Sequence, residues 1–485
     1  MTIEYSKWNH LTGCNRYLTE CNDFHKDISS AIQSLNQRKI DPVGVLGILM
    51  KNYSIGDRTL VSGISKQPWM SKIENGNIRT LDLPKHDDLF LPVSEIANKL
   101  IGLMKNEAMT FLKGKKKIGI LLSGGMDSRV IASIIKTLQD EGKYSGEVTA
   151  LTWGVADCRD VLYSKRIADI YQWDFKHFLI TPDTLFNNII IAGERGAEYS
   201  PVHLHAMSDV SKELGIDGIL AGSYGDSIGR GEYSGKKIND LPLLLNKHHN
   251  HYSFMLKEEE KKALKSIHSD IAKSRERFPG RAENSYREIE MQMHYMRRQL
   301  SSCMSIIDEK IPLYQMFTDP TVFGFMWSLS AECRTDAVYE NILKKLSGKL
   351  LDIPWARDGK IYNSPNSKAL DNYNKSYHRY GDWLRNDNRH FVINTILNGN
   401  LSSLNIFNEK SLNYWCNNWR KDHRPKADRL DEKMAWLASL SIFIGKYDLK
   451  YSTEYKQYTI KDQIHLYGSI AYESLYYNAL TLIKK

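Results

Sequence analysis

Short apolar runs alternate along this chain with stretches in which apolar residues recur every three or four positions. Ile118, Ile120, Leu121 and Leu122 form a run of the kind a buried parallel strand shows. Val130, Ile131, Ile134 and Ile135 follow at helical spacing. A second apolar run at 148–153 precedes a helix marked by Val161, Ile167, Ala168, Ile170 and Tyr171. A third run covers 175–180, a helix is expected over 203–214, and Gly218-Ile219-Leu220-Ala221 is a fourth strand. Ahead of the first strand, Ile96, Leu100, Leu103, Met104 and Phe111 place one side of a helix over 93–112. Strands alternating with helices predict right-handed βαβ units and an α/β fold with a parallel sheet. Ligands in such sheets sit at the carboxyl ends of the strands.

The flanks differ from this middle part. Residues 1–90 show short strand-like pieces and turn signals: Asp41-Pro42, Ser54-Ile55-Gly56-Asp57, and Asn75-Gly76 as a hairpin turn. This predicts a small β-containing N-terminal segment (1–90) before the main domain (91–485). From about Arg230 onward the pattern is helical. The leucine cluster Leu241, Leu243, Leu244 and Leu245 lies in one expected helix, charged pairs at helical spacing over 254–277 in another, and an amphipathic stretch over 288–302 in a third. Pro312 is read as a helix exit. An aromatic-rich helical tail runs from Tyr373 to the end.

Composition narrows the class without naming it. With 42% hydrophobic and 25% charged residues in 485, the chain reads as an ordinary soluble protein. No apolar run approaches the ~18 residues of a membrane helix, and the N-terminus lacks a basic start followed by an apolar core. A cytoplasmic protein without membrane attachment is expected. Six cysteines without CxxC spacing fit free thiols in a reducing compartment. The net charge is +9, but no aromatics are interleaved with the basic residues, so nucleic acid is not an expected partner.

The chemistry concentrates in two turns. After the first strand comes Ser123-Gly124-Gly125-Met126-Asp127-Ser128, then a helix. Strand, glycine turn and helix place an anion at a helix N-terminus, and the glycines let backbone N–H groups approach a phosphate. Asp127 cannot bind phosphate directly but can hold a magnesium ion that does. The fourth strand runs into Gly222-Ser223-Tyr224-Gly225-Asp226-Ser227-Ile228-Gly229-Arg230-Gly231, a second glycine-rich turn in the same topological position. Asp226 is the second candidate magnesium carboxylate; a helix-capping role is the alternative.

These motifs resemble the SGGxDS loop of the N-type ATP pyrophosphatases. The first loop, the helix D-x-x-x-S-x-x-I-A at 160–168, Pro201-Val202-His203-Leu204-His205 and Ala221-Gly222-x-x-x-Asp226 together resemble the synthetase domain of the asparagine synthetases. The β-lactam synthetases and lasso-peptide cyclases are relatives. The resemblance spans roughly 44–365. It implies an adenine nucleotide alpha hydrolase-like, PP-loop fold that carries a helical C-terminal extension. It also implies ATP and Mg2+. Ser123, Gly124, Gly125, Asp127 and Ser128 would grip pyrophosphate, Leu121 and Gly222 would border the adenosine, and Asp127 and Asp226 would be the metal carboxylates.

The resemblance implies an ATP-dependent ligase. It would adenylate a small-molecule or peptide carboxylate, releasing pyrophosphate, for attack by ammonia or an amine. The segment 44–70 resembles the tail of the family's glutaminase domain, whose nucleophilic cysteine is missing; Thr2 is read as structurally idle. Nitrogen would then come from free ammonia, a substrate amine or a separate glutaminase. Ser223 stands where asparagine synthetases carry a glutamate, and a serine is no general base at neutral pH. Ser223 and the adjacent Tyr224 are therefore the acceptor-side candidates, and a changed acceptor is expected. Lys360, with Arg357 second, is the candidate for the family's mobile-loop lysine, since a point charge on a flexible stem suits a pyrophosphate leaving group. An exposed loop cation is the alternative. Residues 363–367 read as a lid. Ile307-Asp308-Glu309-Lys310-Ile311-Pro312 resembles the family's E-x-R-x-P segment with lysine for arginine. His203 and His205 are candidates to line the substrate pocket. An intramolecular cyclase of a peptide or β-lactam type product is the alternative function. A non-catalytic nucleotide-binding homologue is the third.

Overall fold

The computed structural model describes residues 16–21, 23–234, 236, 245, 249–362, 369, 371–422, 428–451 and 458–483. Thr2, the leucines at 241, 243 and 244, and the expected lid at 363–367 lie outside the described residues.

Five parallel strands form the central sheet in the order Leu313–Gln315, Gly218–Ala221, Lys117–Leu121, Glu147–Gly154, Asp174–Leu179. The chain steps outward from Lys117–Leu121 in one direction, then returns to add the other two strands on the opposite side. The crevice between Lys117–Leu121 and Gly218–Ala221 is therefore the topological switch point, where such sheets bind ligands. Side chains alternate across the sheet. Ile118, Ile120 and Leu122 enter a core shared with the helices Val93–Leu112, Met126–Asp140 and Asp336–Ser347. Leu121, Leu151 and Ile219 enter a second core shared with Pro182–Glu194 and Asp428–Tyr447. Burial on both faces explains why the strands read as continuous apolar runs. Gly119 is required within its strand: a Cβ there would lie 2.6 Å from Leu151 Cδ1.

The N-terminal segment holds the antiparallel strands Phe24–His25, Tyr17–Thr19 and Ile64–Lys66, and the hairpin Ser71–Glu74/Asn77–Thr80. The hairpin turns at Asn75 and Gly76, both at positive φ, as the dipeptide predicts. The expectation of strands and turns fails at Asp41-Pro42, which opens the helix Pro42–Lys51. Asp41 accepts the Val43 amide at 2.9 Å, and Pro42 sits where a missing N–H costs nothing. Val45, Leu46 and Ile48 of this helix join the core that contains Asp428–Tyr447.

Two other expectations are corrected. Residues 203–214 are not one helix but a 3-10 turn, Pro201–Leu204, and a short helix, Met207–Val210. His205 separates them at φ 48° and ψ −129°, which no helix tolerates. After Pro312 the chain enters the fifth strand. The Pro312 carbonyl accepts the Ile219 amide at 2.8 Å, and three residues are too few to carry a strand signal. The amphipathic stretch near 288–302 belongs to a continuous helical run: Glu283–Glu290, then Met291–Ser301 with i→i+5 hydrogen bonding, then Ser302–Asp308. Such wide turns recur at functional sites. This one faces the switch point on one side and the N-terminal segment on the other.

Candidate active site

The first loop is a cradle closed by its own serines. Ser128 Oγ accepts the Ser123 amide at 3.2 Å, lies 3.1 Å from Ser123 Oγ, and Ser123 Oγ accepts the Gly125 amide at 3.2 Å. The Gly124 amide donates to Asp160 Oδ1 at 2.9 Å. Gly125 begins the helix Met126–Asp140, and no side chain among the described residues caps it. Its first-turn N–H groups and positive dipole end therefore suit an anion. Beneath the loop, the buried Arg129 donates to the carbonyls of Leu350, Ile353, Pro354 and Gly124, so the cradle is held by main chain from the 350–356 segment.

The second loop touches the first. A Cβ on Gly222 would lie 2.8 Å from the carbonyl carbon of Asp127 and the Ser128 amide nitrogen; one on Gly225 would lie 2.6 Å from Asp127 Cγ. Both glycines are required by this approach. Tyr224 between them takes φ 70°, and the Gly225 carbonyl accepts the Tyr339 hydroxyl at 2.8 Å.

Asp127 and Asp226 face one cavity, about 250 Å3 in volume, with Ser223, Tyr224, His203, Tyr295 and Cys303. Its neighbour, about 350 Å3, is lined by Leu121, Ser123, Asp127, Ser128, Trp153, Asp160, Gly222 and Ser223. Asp127, Gly222 and Ser223 stand where the two adjoin. Burial pushes the Asp127 carboxyl up to about 7; the Asp226 charge adds to this and Arg230 opposes it. Burial and Glu232 raise Asp226 in the same direction. Arg230 bonds Asp127 with Nε and Nη2, at 3.2 and 3.1 Å, and also reaches Glu232 at 2.9 Å and Asp336 at 3.1 Å. Two buried carboxyls, each raised further by a neighbouring acidic charge, form a site that favours a cation. Among the described residues no cluster of three or more metal-ligating side chains exists. Two carboxylates on one cavity suit a magnesium ion only if its remaining ligands would come from phosphate or water.

The other sequence candidates take varied positions. Ser223 Oγ donates to Met304 Sδ at 3.4 Å. The buried Tyr224 hydroxyl lies 2.5 Å from Ser301 Oγ, and burial raises its phenol. Lys360 and Arg357 line neither cavity. They ride on a tight turn, in which the Gly359 amide donates to the Trp355 carbonyl at 2.7 Å and the Ala356 amide donates to the Gly124 carbonyl at 3.1 Å. Arg357 is exposed over the Trp355 ring. Their turn is thus fixed to the first loop, while their side chains line neither cavity. Lys310 and Asp308 stay at the sheet edge, where Asp308 accepts the Leu313 amide at 3.0 Å. His205 lines both cavities; its Nδ1 lies 2.9 Å from the Tyr380 hydroxyl, and burial lowers its pKa.

Sequence reasoning missed Arg230, Asp160, Trp153 and Tyr295. Arg230 had a signal, lying between two glycines at the end of the second loop. Trp153, at a strand's carboxyl end, had one as well. Tyr295 and Glu432, which bonds His203, carry none, since each sits in an ordinary helical pattern.

Residues 106–306, the segment bearing both loops, match the family model described as asparagine synthase. Among curated proteins none matches in sequence. Three solved structures overlay on part of the chain. An NMN synthetase from Francisella tularensis does so at 17% identity and TM-score 0.21, covering 45% of this chain and 93% of that one. An NAD+ synthetase from Burkholderia pseudomallei does so at 13% and 0.21, covering 50% and 90%. A U34-tRNA thiolase from Methanococcus maripaludis does so at 13% and 0.20, covering 54% and 80%. These overlays fix neither substrate nor reaction. No described helix is long and apolar enough to cross a membrane.

Proposed function

We propose that this protein activates a substrate carboxylate with ATP, forming an acyl-adenylate and pyrophosphate, and then passes the acyl group to ammonia or an amine to give an amide and AMP. The observation that carries the reading is the contact of the two loops, where Gly222 and Gly225 lie against Asp127 so that one continuous site borders both the phosphate cradle and the adjoining cavity. The first cavity suits the nucleotide: Leu121, Leu151, Trp153 and Met207 offer apolar surface for adenosine, and Ser123 and Ser128 offer hydroxyls for phosphate. The 250 Å3 cavity takes the carboxylate and the amine. A magnesium ion held by Asp127 and Asp226 would neutralise charge on the triphosphate.

The chain's own residues hold the two reactants in adjoining cavities, and such positioning converts a bimolecular encounter into a unimolecular one. Lys360, carried by a turn bonded to the cradle, is proposed to follow the leaving pyrophosphate. Nitrogen is drawn from free ammonia, from an amine on the substrate, or from a separate glutaminase.

Carboxylate-dependent ATP–pyrophosphate exchange tests this reading across a panel of amino acids, sugar acids and short peptides. Exchange with at least one acid is expected. Binding of ATP without exchange under any acid would leave a nucleotide-binding homologue. Amide formation without added ammonia would point to intramolecular ring closure.

A further inference from the structure

The acceptor cavity needs a group to take the proton that an amine sheds as it becomes an amide, and most candidates in it are disqualified. Ser223 donates to Met304. Tyr224, Tyr233 and Tyr295 have phenols raised by burial, and the Cys303 thiol is raised as well. Asp127 is tied to Arg230. His205 Nδ1 is taken by the Tyr380 hydroxyl.

His203 is different. Its Nε2 lies 2.9 Å from Glu432 Oε1. Glu432 is held below its usual range, against the opposing cost of burial, by His203 and Lys433, so it is a carboxylate and can only accept. With its Nε2–H directed at Glu432, the ring presents Nδ1 as its acceptor. Asn52 completes the arrangement: its Nδ2 donates to Glu432 Oε2 at 2.5 Å, and its own Oδ1 accepts from Lys433. Asn52 ends the helix Pro42–Lys51 at φ 69°, so the N-terminal segment fixes the carboxylate that fixes the imidazole.

We propose that His203 is the proton acceptor for the attacking amine, with Glu432 and Asn52 as its positioning residues. This rests on the ligase reading above. The amine nitrogen forms a bond to the acyl carbon. The acyl C–O bond to AMP breaks, and AMP leaves with that electron pair. The surplus proton on nitrogen moves to His203 Nδ1 and then to water. The resulting imidazolium faces an ionised Glu432, which stabilises it.

The test compares two nucleophiles, using the carboxylate that gives the strongest exchange. After attack both nucleophiles carry a surplus proton: the N–H left by ammonia is weakly acidic and depends on a base, whereas the N–H left by the far less basic hydroxylamine is acidic enough to pass to water. His203→Gln is expected to slow ammonia-dependent amide formation about 100-fold, and hydroxylamine-dependent hydroxamate formation by less than about fivefold. Glu432→Gln, which keeps a hydrogen-bond acceptor, should slow the ammonia reaction about tenfold and leave a smaller effect with hydroxylamine. Equal losses with both nucleophiles, or undiminished ammonia activity, overturn the assignment. Independently of any substrate, 15N spectra of histidine-labelled protein should show His203 protonated on Nε2; a proton on Nδ1 refutes the proposal. Wild-type protein that exchanges no pyrophosphate with any acid sinks the ligase reading itself, a result distinct from these.

Discussion

Six consecutive residues, Ser123 to Ser128, make the proposed phosphate edge of this site, whereas the proposed acceptor wall joins side chains as far apart as Asn52 and Glu432, 380 positions along the chain. The first of these is local: one strand end, two glycines, two serine hydroxyls and one helix start form it within a short window. The acceptor wall is assembled by tertiary packing, from a helix C-terminus, a 3-10 turn, a helix with i→i+5 turns and a helix near the chain's end. A local device can be carried intact between proteins that act on different substrates. A wall made from four elements can change its chemistry one residue at a time.

Substitutions should separate the two regions sharply. Asp127→Asn keeps the shape of the cradle and removes the carboxylate that both cavities share. Exchange is expected to fall at least 1,000-fold, on the scale of losing a central electrostatic group, while nucleotide-free protein keeps its far-UV circular dichroism and its melting temperature. Undiminished exchange would remove the basis for a metal at this position.

Next in size comes Lys360→Ala, expected to lower kcat for adenylation about 100-fold with little change in the KM for ATP. Arg357→Ala should cost about tenfold, because Arg357 lies exposed over Trp355. An unchanged kcat for Lys360→Ala in pre-steady-state pyrophosphate release would assign it to the surface.

The contact between the loops can be probed with one methyl group. Gly222→Ala places a Cβ 2.8 Å from two main-chain atoms of the first loop, which must then part. A roughly 100-fold loss in kcat/KM is expected, of the size a misplacement near 1 Å produces. Gly125→Ala is the contrasting case: φ is −83°, and the nearest atom is the Ser123 hydroxyl at 3.1 Å. Its cost should stay within about fivefold. Equal losses would mean that the loops do not depend on each other.

How much of this was legible in sequence follows the same division. Four of the five strands, the helices Val93–Leu112 and Met126–Asp140, and both loops announce themselves through apolar runs and glycines within short windows. The fifth strand failed because three residues after a proline carry no periodicity. The helix Pro42–Lys51 failed because Asp-Pro opens helices and turns alike, and only the burial of Val45, Leu46 and Ile48 decides between them. The break at His205 failed because its positive φ is imposed by its surroundings: the Trp153 and Tyr380 rings stack on it and the Tyr380 hydroxyl bonds it, which no local pattern encodes. Among site residues, those that act through backbone or glycine were visible. Tyr295 and Glu432 were not, because their meaning lies in partners on other elements far along the chain.

The smallest expected effect on chemistry, and the one that tests whether scaffold and site are separable, concerns Glu288. It is fully buried and bonds Arg334 through both oxygens, at 2.6 and 3.0 Å, with His86 3.3 Å away. Arg334 in turn packs on Gly231 at the end of the second loop. The Arg334 guanidinium and the neighbouring His86 hold the Glu288 carboxyl at about 2, against the opposing effect of burial. A carboxyl whose pKa is lowered on folding contributes stability that is complete above its unfolded value near 4.5 and is lost as the pH falls through that value toward 2. Glu288→Gln strands a buried guanidinium and should cost about 3 kcal/mol at pH 7. Urea unfolding should show that deficit shrinking steadily below pH 4.5, as the wild-type carboxyl takes up its proton, with the two proteins converging near pH 2. Exchange at pH 7 and low temperature should change by less than about threefold, because Glu288 touches neither cavity. A large loss of exchange in a protein that remains folded would mean that the end of the second loop transmits its position to Asp127, and the phosphate edge would then be less local than its six residues suggest.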